Sequence, residues 1–366
     1  MSKCNPDNER IKRAYFEYQK EAKQRSQSTI DNIRQCILRY EIYSKYEDFK
    51  RFNKQRAIAF KKHFAQVKSS RAGIPLSKST LLSTIRNLKD FFIWLAYRPG
   101  YKRIDVREVE YLNLSESDVK IARSRKRLRV PTIDQIKAVV KSMPTDNEIQ
   151  LRDRALIAFT LLTGMRDSAI ASLQLKHVKL SEGLVEQLPA EVKTKFGKTI
   201  YSYFFPIDDE FKKIFTDWVE YLYKRKLFTE NDPVFPRTKI ALDSNGVFAS
   251  NGVVPIHWKS ANQIRKIFEE AFERAGLEYY TPHTFRNTLS RLGEQICRNP
   301  EEFKAWSQNL GHANVMTTFF SYGNIEEYKQ GEIIKSLSAE REVEKSNPLL
   351  EISKKLDTLI DLKNKP

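Results

Sequence analysis

The sequence predicts a mainly α-helical protein with a small antiparallel β-sheet, an α+β fold. Apolar residues recur at helical spacing through much of the first hundred residues and again after residue 130. By contrast, the stretch VEQLPAEVKTKFGKTIYSYFFPI, which starts at Val185, alternates in polarity and is rich in β-branched and aromatic residues. Gly197 interrupts this stretch as a turn would, so it predicts a β-hairpin. With 366 residues, the chain is long enough for two or three domains.

The amino-terminal part of the chain divides into an arm and a helical domain. Residues 1–25 are polar and charged, and we expect a poorly ordered or single-helix arm there. Residues 26–100 contain three helical patterns, the first with Ser28 or Thr29 as its candidate cap, and they end at the breakers in RPGYK. The apolar positions of these patterns are Ile33, Ile37, Leu38 and Tyr40, then Ile58, Phe60 and Phe64, then Leu81, Leu82, Ile85, Leu88, Phe92 and Leu95.

A basic linker, residues 101–130, leads into a second domain, residues 131–335. The linker ends in the run ARSRKRLRVPT. The second domain opens on Thr132 and Gln135, which fit a helix capping box, and IQLRDRALIAFTLLTG indicates a buried helix that stops at Gly164. The turn-rich stretch LDSNGVFASNGVVP predicts an inserted loop, and helical patterns resume after it.

The carboxyl-terminal tail, residues 336–366, is predicted to form a short amphipathic helix. Its apolar stripe is formed by Leu349, Ile352, Leu356 and Leu359. Such a helix needs a partner surface, in its own domain or in a neighbouring copy.

The charge of the chain points to a polyanionic partner. Lys plus Arg number 64 against 46 for Asp plus Glu, which gives a net charge of +18 and a pI near 9.6. From Arg51 to Gly100 there are 11 Lys and Arg residues and one acid, Asp90. Aromatic residues lie among these charges, and this combination favours nucleic acid as the partner.

Other features favour an intracellular protein without a metal or disulfide framework. No apolar run approaches the roughly 18–20 residues of a membrane span, and the amino terminus lacks signal-peptide character. Cys4, Cys36 and Cys297 are odd in number and far apart, as expected for free thiols. We therefore expect a soluble, cytoplasmic protein.

Several phosphate-seeking side chains stand at the ends of predicted helices. In TPHTFRNTLSRLG, Thr281 is the candidate cap, and His283 and Arg286 share one face of the first turn. Helix amino termini attract anions, so this pair is suited to a phosphodiester. Taken alone, the pair is better explained as a chance pair on a solvated face. Arg166 follows the buried helix that ends in TGMR, where so apolar a neighbourhood requires an anionic partner. His312 follows Gly311 in WSQNLGHANVMTTFFSYGN.

Taken in order, Arg166, a hairpin lysine, His283, Arg286, His312 and Tyr322 resemble the catalytic set of the tyrosine recombinase, or phage integrase, family. The segments TGMR, PHTFR and LGHANVMTTFFSYG resemble its motifs, and the resemblance covers roughly residues 26–335. It implies a helical core-binding domain at residues 26–100 and a catalytic domain at residues 131–335. It also implies a homotetramer on double-stranded DNA, association with the nucleoid when bound to DNA, possible accessory DNA-bending proteins, and no cofactor or metal.

The resemblance implies a covalent mechanism. Tyr322 would attack a DNA phosphate and form a 3′-phosphotyrosyl link, releasing a 5′-hydroxyl. Arg166 and Arg286 would stabilise the charge that develops on the phosphate, and His312 would donate a hydrogen bond to it. His283 would act as general base, and a hairpin lysine would protonate the departing 5′ oxygen.

The sequence departs from the family pattern at three places. Tyr322 lies ten residues after His312, and Ser321 occupies the usual position, so Tyr328 is the alternative nucleophile. Ala169 stands where the family often has an acid, and Asp167 is the candidate that would orient Arg166 instead. Lys195 best matches the family's lysine, with Lys193 and Lys198 as alternatives.

The predicted function is therefore site-specific DNA recombination that integrates or excises a mobile element. The alternatives are a non-catalytic DNA-binding protein and a recombinase that resolves chromosome dimers. The positions expected to contact DNA are Lys54, Arg56, Lys61, Lys62, Lys78, Arg86, Lys89, position 124, Lys126, Arg127, Lys193 and Lys198.

Overall fold

The computed structural model describes residues 4–68, 73–124, 129–194, 197–242, 246, 248–312 and 314–315. The chain divides into two compact units, one ending at Ser124 and the other beginning at Arg125. Each unit is described by itself. Among the described residues, no helix combines the length and the apolar character that crossing a membrane requires.

The first unit is helical. A π-helical turn, Tyr18–Ala22, extends its first helix, and short 3-10 turns lie at Phe49–Arg51 and Glu110–Leu112. Its helices are α1 (Pro6–Glu17), α2 (Gln27–Tyr43), α3 (Lys54–Gln66), α4 (Lys78–Ala96), α5 (Val106–Val109) and α6 (Glu116–Arg123).

Polar side chains determine where these helices begin. The side chains of Asn53 and Ser77 accept hydrogen bonds from first-turn amides of α3 and α4. The cap of α2 is Ser26, which accepts from the amide of Thr29. The prediction of Ser28 or Thr29 was therefore wrong by two or three residues, because Ser26 already satisfies the first-turn amide.

An aromatic cluster forms the core of the first unit and reaches beyond residues 26–100. Phe52 and Phe92 stack with ring centroids 3.9 Å apart. Tyr15, in the predicted arm, packs against Phe91 at 5.0 Å, and Leu112, in the predicted linker, is buried in the same cluster. In the structure, helix α1 and the segment from residue 101 to Ser124 thus belong to this unit.

The second unit combines helices with two small antiparallel sheets, as the predicted α+β class requires. A 3-10 turn at Leu175–His177 precedes the first strand. Its helices are α7 (Ile133–Ser142), α8 (Glu148–Thr163), α9 (Asp167–Ile170), α10 (Asp209–Lys224), α11 (Asn262–Arg274), α12 (Pro282–Ile296) and α13 (Pro300–Asn309). Its strands are β1 (Val178–Lys179), β2 (Leu184–Gln187), β3 (Ile200–Tyr203), β4 (Arg237–Leu242) and β5 (Phe248–Val254).

Helix α8 is the centre of the second unit. Every residue from Ala155 to Thr163 is buried, which confirms the buried helix that the sequence predicts. The capping box of Thr132 and Gln135 is present at the start of α7. The carboxyl-terminal end of α8 leads to Arg166, the first residue of the candidate site.

The predicted β-hairpin is confirmed. β2 pairs with β3 in antiparallel register, Leu184 opposite Tyr203 and Gln187 opposite Ile200, and β1 adds a third strand. We call the connection between β2 and β3, residues 188–199, the lysine loop. It carries the candidate general acids.

The predicted inserted loop is a second hairpin, β4–β5, so that interpretation was wrong. We call this pair of strands the ribbon. Arg152 of α8 donates to the Thr238 hydroxyl at 2.9 Å, and the Glu148 carboxylate, one turn earlier, accepts from the Val253 amide at 2.7 Å. Contacts made from α8 thus organise a turn-rich sequence into strands.

Candidate active site

Gly164 directs the chain from the end of α8 to Arg166. It adopts φ 58°, and its amide donates to the Thr160 carbonyl at 2.9 Å. A Cβ at this position would lie 2.6 Å from a methyl carbon of Leu310 and 2.9 Å from one of Leu289. Both the left-handed backbone and the close packing therefore require glycine. The turn leaves Arg166 half-buried at the amino-terminal cap position of α9.

Helix α12 carries the second pair of candidates. Pro282 occupies its first turn, as predicted, and His283 and Arg286 follow within that turn. Thr281 occupies the cap position, but its side chain makes no capping hydrogen bond. Instead, the Thr284 hydroxyl donates to the Thr281 carbonyl at 2.6 Å. The prediction of Thr281 as the capping side chain was therefore wrong.

Arg286 joins the carboxyl-terminal ends of two helices. Its guanidinium donates to the carbonyl of Gly164, which follows α8, and to that of Leu310, which follows α13. The side chain is only 2% exposed, and burial together with the charge of Arg166 lowers its pKa to about 9. Helix-end carbonyls stabilise the buried cation, which therefore stays charged at neutral pH.

One donor of Arg286 remains for a ligand. Its Nε is buried and has no hydrogen-bond partner among the described residues. A buried donor without a partner costs free energy, unless an anion binds there. The geometry therefore favours an anion next to Arg286.

His312 completes the cluster from the end of α13. It follows Gly311, whose φ of 66° turns the chain, and its amide donates to the Ser307 carbonyl at 3.2 Å. Burial, Arg286, Arg166 and His283 together lower the pKa of His312 to about 3. The imidazole is therefore neutral at physiological pH and can donate a hydrogen bond without adding charge.

The four residues form one electropositive site. Arg166, His283 and Arg286 all act electrostatically on His312, although the four residues come from three separate segments of the chain. Burial lowers the pKa of Arg166, and no described carboxylate forms an ion pair with it. Two guanidinium groups and two imidazoles in one site are suited to a phosphodiester and to the negative charge that develops on it during substitution.

The acid next to Arg166 pairs elsewhere. The Asp167 carboxylate accepts from Nε of Arg265 at 2.9 Å and lies 2.7 Å from its terminal nitrogen. Ala169 is buried. These contacts therefore do not support the interpretation that Asp167 orients Arg166. Arg265 was missed because 98 residues separate it from Asp167, and no local sequence signal links the two.

Two of the three candidate lysines lie in the described part of the lysine loop. Lys198 is exposed and lines a cavity of about 480 Å³ together with His312. Lys193 is also exposed, and its amide donates to the Ser172 hydroxyl at 2.9 Å. Lys195 lies outside the described residues, as do both candidate nucleophiles, Tyr322 and Tyr328. The amphipathic tail, residues 336–366, lies outside them too.

Several basic residues of the first unit already have partners within it. Lys78 pairs with Asp118 at 2.6 Å, and Lys89 pairs with Glu110 at 2.7 Å. Lys61 donates to the Asn113 carbonyl at 2.7 Å. Arg56 pairs with Glu47, and Lys54 lies 4.6 Å from the centroid of the Tyr111 ring. DNA contacts by these residues would have to compete with the internal ones.

Among the predicted lysines and arginines in the described part of the first unit, Lys62 and Arg86 are exposed. Position 124 is a serine, so counting it among the basic contacts was wrong, and the Ser124 hydroxyl donates to the Ile121 carbonyl at 2.7 Å. Lys126 and Arg127 lie outside the described residues.

Comparison with known proteins identifies the family of the chain. The family model described as "Phage integrase family" matches residues 127–327. A tyrosine recombinase XerC from Lactobacillus delbrueckii subsp. bulgaricus is 26% identical over 250 residues, which are 67% of this chain and 72% of the relative.

Two solved structures show the same fold. The Tn1549 transposon integrase in complex with circular intermediate DNA has a TM-score of 0.54 at 15% identity and covers 89% of this chain and 99% of its own. A lambda integrase tetramer bound to a Holliday junction has a TM-score of 0.54 at 15% identity and covers 89% of this chain and 85% of its own. Because the family model matches more than half of the 366 residues, the chain belongs to the phage integrase family and is a tyrosine recombinase, an enzyme that breaks and rejoins DNA strands.

Proposed function

We propose that this recombinase cuts DNA at a specific site through Tyr322 and uses the described cluster to activate the scissile phosphate. The observation that carries the proposal is that Arg166, His283 and Arg286 all act electrostatically on His312. In addition, the buried Nε of Arg286 has no hydrogen-bond partner among the described residues. Arg286 is held in place by two helix ends before any ligand binds. Such preorganised donors stabilise developing charge without reorganising during the reaction.

Each bond change has an assigned residue. The Tyr322 oxygen forms a bond to phosphorus while the bond from phosphorus to the 5′ oxygen breaks. His283 accepts the phenol proton, and a lysine of the lysine loop donates a proton to the departing oxygen, which leaves as a 5′-hydroxyl. The bond energy is conserved in the 3′-phosphotyrosyl link, and attack by a 5′-hydroxyl reverses the steps and rejoins the strand.

The two cations and the neutral His312 have complementary tasks. Arg166 and Arg286 balance the negative charge on the nonbridging oxygens, since a guanidinium donates two parallel hydrogen bonds. His312 is uncharged at neutral pH because its pKa is lowered to about 3, so it contributes directional hydrogen bonding. The two arginines would thus balance the charge of the phosphate, and the neutral His312 would not place a third positive charge beside them.

We further propose that the biological reaction is the integration or excision of a mobile element by a homotetramer on two DNA sites. The likeness in fold to a transposon integrase and to a tetrameric lambda integrase supports this role. Accessory DNA-bending proteins fit the same scheme. The second candidate is chromosome-dimer resolution, which the sequence similarity to a XerC recombinase favours.

Covalent capture tests the proposal. Wild type, Tyr322→Phe and Tyr328→Phe would be expressed in cells and recovered under strong denaturant, and the DNA that stays attached would be sequenced. We expect attached DNA with a recurring sequence on wild type and on Tyr328→Phe, and none on Tyr322→Phe.

Other outcomes decide between the alternatives. If Tyr328→Phe were the one variant without attached DNA, Tyr328 would be the nucleophile instead of Tyr322. Absence of attached DNA from every variant, with reversible duplex binding retained, would favour the non-catalytic DNA-binding protein. The recovered sequence also separates the two biological roles. A mobile-element junction supports integration or excision, and a single chromosomal site supports dimer resolution.

A further inference from the structure

The lysine loop is attached to the segment that follows the first catalytic arginine. The Glu191 carboxylate lies 2.6 Å from Nε2 of His177 and 2.9 Å from Nζ of Lys176. Two residues further on, the Lys193 amide donates to the Ser172 hydroxyl at 2.9 Å. Ser172, Lys176 and His177 all belong to the stretch that starts with Arg166 and α9.

The imidazole of His177 is oriented by a backbone contact. Its Nδ1 accepts a hydrogen bond from the Gln174 amide at 3.1 Å, so the ring proton is on Nε2. Nε2 therefore donates to the Glu191 carboxylate. Since the His177 side chain is only 2% exposed, the imidazole is a fixed attachment point within the unit.

The residue between the two attachments is fixed as well. Val192 is buried in the hydrophobic core at 1% exposure, and its amide donates to the Leu188 carbonyl at 2.8 Å. The backbone from Glu191 to Lys193 is thus held by a carboxylate contact, a buried side chain and an amide contact. The candidate general acids, Lys193, Lys195 and Lys198, follow within seven residues of Glu191.

We infer that Glu191, held by His177 and Lys176, is a positioning residue that sets the placement of the general-acid lysine relative to the arginine-bound phosphate. The inference rests on the proposed function, in which a lysine of this loop protonates the departing 5′ oxygen. Proton transfer in the transition state depends on a donor held within hydrogen-bond reach. A loop attached to the Arg166 segment meets this need, because the donor and the phosphate then share one framework.

A purely structural role would have a different signature. The Glu191 carboxylate is 39% exposed and the Lys176 ammonium 31% exposed, and ion pairs at such exposure contribute little to global stability. Loss of positioning would instead slow the one step that needs the lysine proton. That step is expulsion of the 5′ oxygen.

The test compares two leaving groups. Single-turnover cleavage would be measured on duplexes that carry the site recovered by covalent capture. One duplex has the ordinary scissile phosphodiester and the other a 5′-bridging phosphorothiolate. A thiolate leaves without being protonated, since a thiol is far more acidic than an alcohol. The variants are Glu191→Ala, Glu191→Gln, and alanine at each of the three lysines. Glu182→Ala, an exposed carboxylate in the turn between β1 and β2, is the matched control.

We expect alanine at the lysine that acts as general acid to slow cleavage of the ordinary duplex by about 10² to 10³-fold. The rate of cleavage of the sulfur duplex should stay near that of wild type. Glu191→Ala should slow the ordinary duplex by about tenfold, and the sulfur duplex by less than about twofold. Glu191→Gln should lie between wild type and Glu191→Ala, and Glu182→Ala should match wild type.

The outcomes separate this inference from the proposed function. The positioning role is overturned, and the lysine role stands, in two cases. In the first, the sulfur duplex restores cleavage by a lysine variant but not by Glu191→Ala. In the second, Glu191→Ala cleaves both duplexes at the wild-type rate. If sulfur rescues none of the lysine variants, the general-acid assignment fails, and the inference fails with it. If urea unfolding shows that Glu191→Ala is misfolded, Glu191→Gln takes its place in both comparisons.

Discussion

Asp167 and Arg265 form an ion pair with 2.7 Å between the carboxylate and the guanidinium, directly beside Arg166. The acid closest to Arg166 in sequence is thus bound to a different arginine. We expect Asp167→Asn to keep cleavage within about threefold of wild type, whereas Arg166→Ala should lose about 10² to 10³-fold through loss of a phosphate donor. Single-turnover cleavage on the recovered site would measure both.

Duplex binding is the control for this comparison. Arg166→Ala should bind DNA nearly as well as wild type, because most phosphate contacts lie elsewhere. A loss of cleavage in Asp167→Asn as large as in Arg166→Ala would show that the acid supports Arg166 after all.

Gly164 should be among the least replaceable residues of the second unit. Gly164→Ala adds a left-handed backbone cost of about 1–2 kcal/mol and an overpacking cost of about 1–3 kcal/mol against Leu310 and Leu289. Gly276→Ala is the matched control, since Gly276 has a similar φ of 67° and no atom within 4 Å of the added Cβ. Urea unfolding should show a clearly larger loss for Gly164→Ala. Equal losses would mean that the neighbouring side chains move aside without cost.

His312 should make stability depend on pH. Its folded-state pKa is about 3, against about 6.5 for an unfolded histidine. Between these values the unfolded state binds a proton and the folded state does not, so stability falls as pH drops from about 6.5 towards 3. The stabilisation is complete above about pH 6.5.

Urea unfolding at pH 7, 6 and 5 measures this effect. As the pH is lowered, the free energy of unfolding of wild type should fall by up to about 1.4 kcal/mol per pH unit more than that of His312→Gln, because one proton is involved. His63→Gln, at an exposed position in α3, is the control and should follow wild type. Identical pH slopes for wild type and His312→Gln would contradict the lowered pKa.

The exposed cations of the first unit should dominate the salt dependence of DNA binding. Lys62→Glu combined with Arg86→Glu should weaken binding and reduce the slope of log Kd against log salt by about 2, since each phosphate contact contributes about 0.9. Lys213→Glu, exposed on α10, makes the same kind of charge change in the other unit and should alter the slope less. A slope unchanged in the double variant would remove these residues from the DNA surface.

Local patterns were sufficient to predict much of the fold. The run from Ala155 to Thr163 is apolar enough to indicate a buried helix, and Gly164 indicates its end. Alternation predicted the pairing of β2 with β3. The site segments were found because Arg166, Arg286 and His312 lie near helix ends, which leave a signature in the sequence, and because their order resembles the motifs of the family.

Contacts between distant residues could not be predicted in the same way. The ribbon contains several turn-forming residues, and its strands depend on Arg152 and Glu148, which lie 86 residues before Thr238 and 105 residues before Val253. The contact of Glu191 with His177 likewise joins two residues that look unremarkable in sequence. Nothing local distinguishes such residues from ordinary surface charges.

The way the ribbon is attached has an evolutionary consequence. Its base is held by two charged side chains one turn apart on α8, while Ile240, Leu242 and Phe248 further out are 68%, 61% and 76% exposed. Substitutions in the outer part therefore leave the packing around α8 intact. Helix α8, about 24 Å long, keeps the same ends whatever sequence the ribbon carries. Selection can thus diversify the outer ribbon between lineages without disturbing the residues that perform the chemistry.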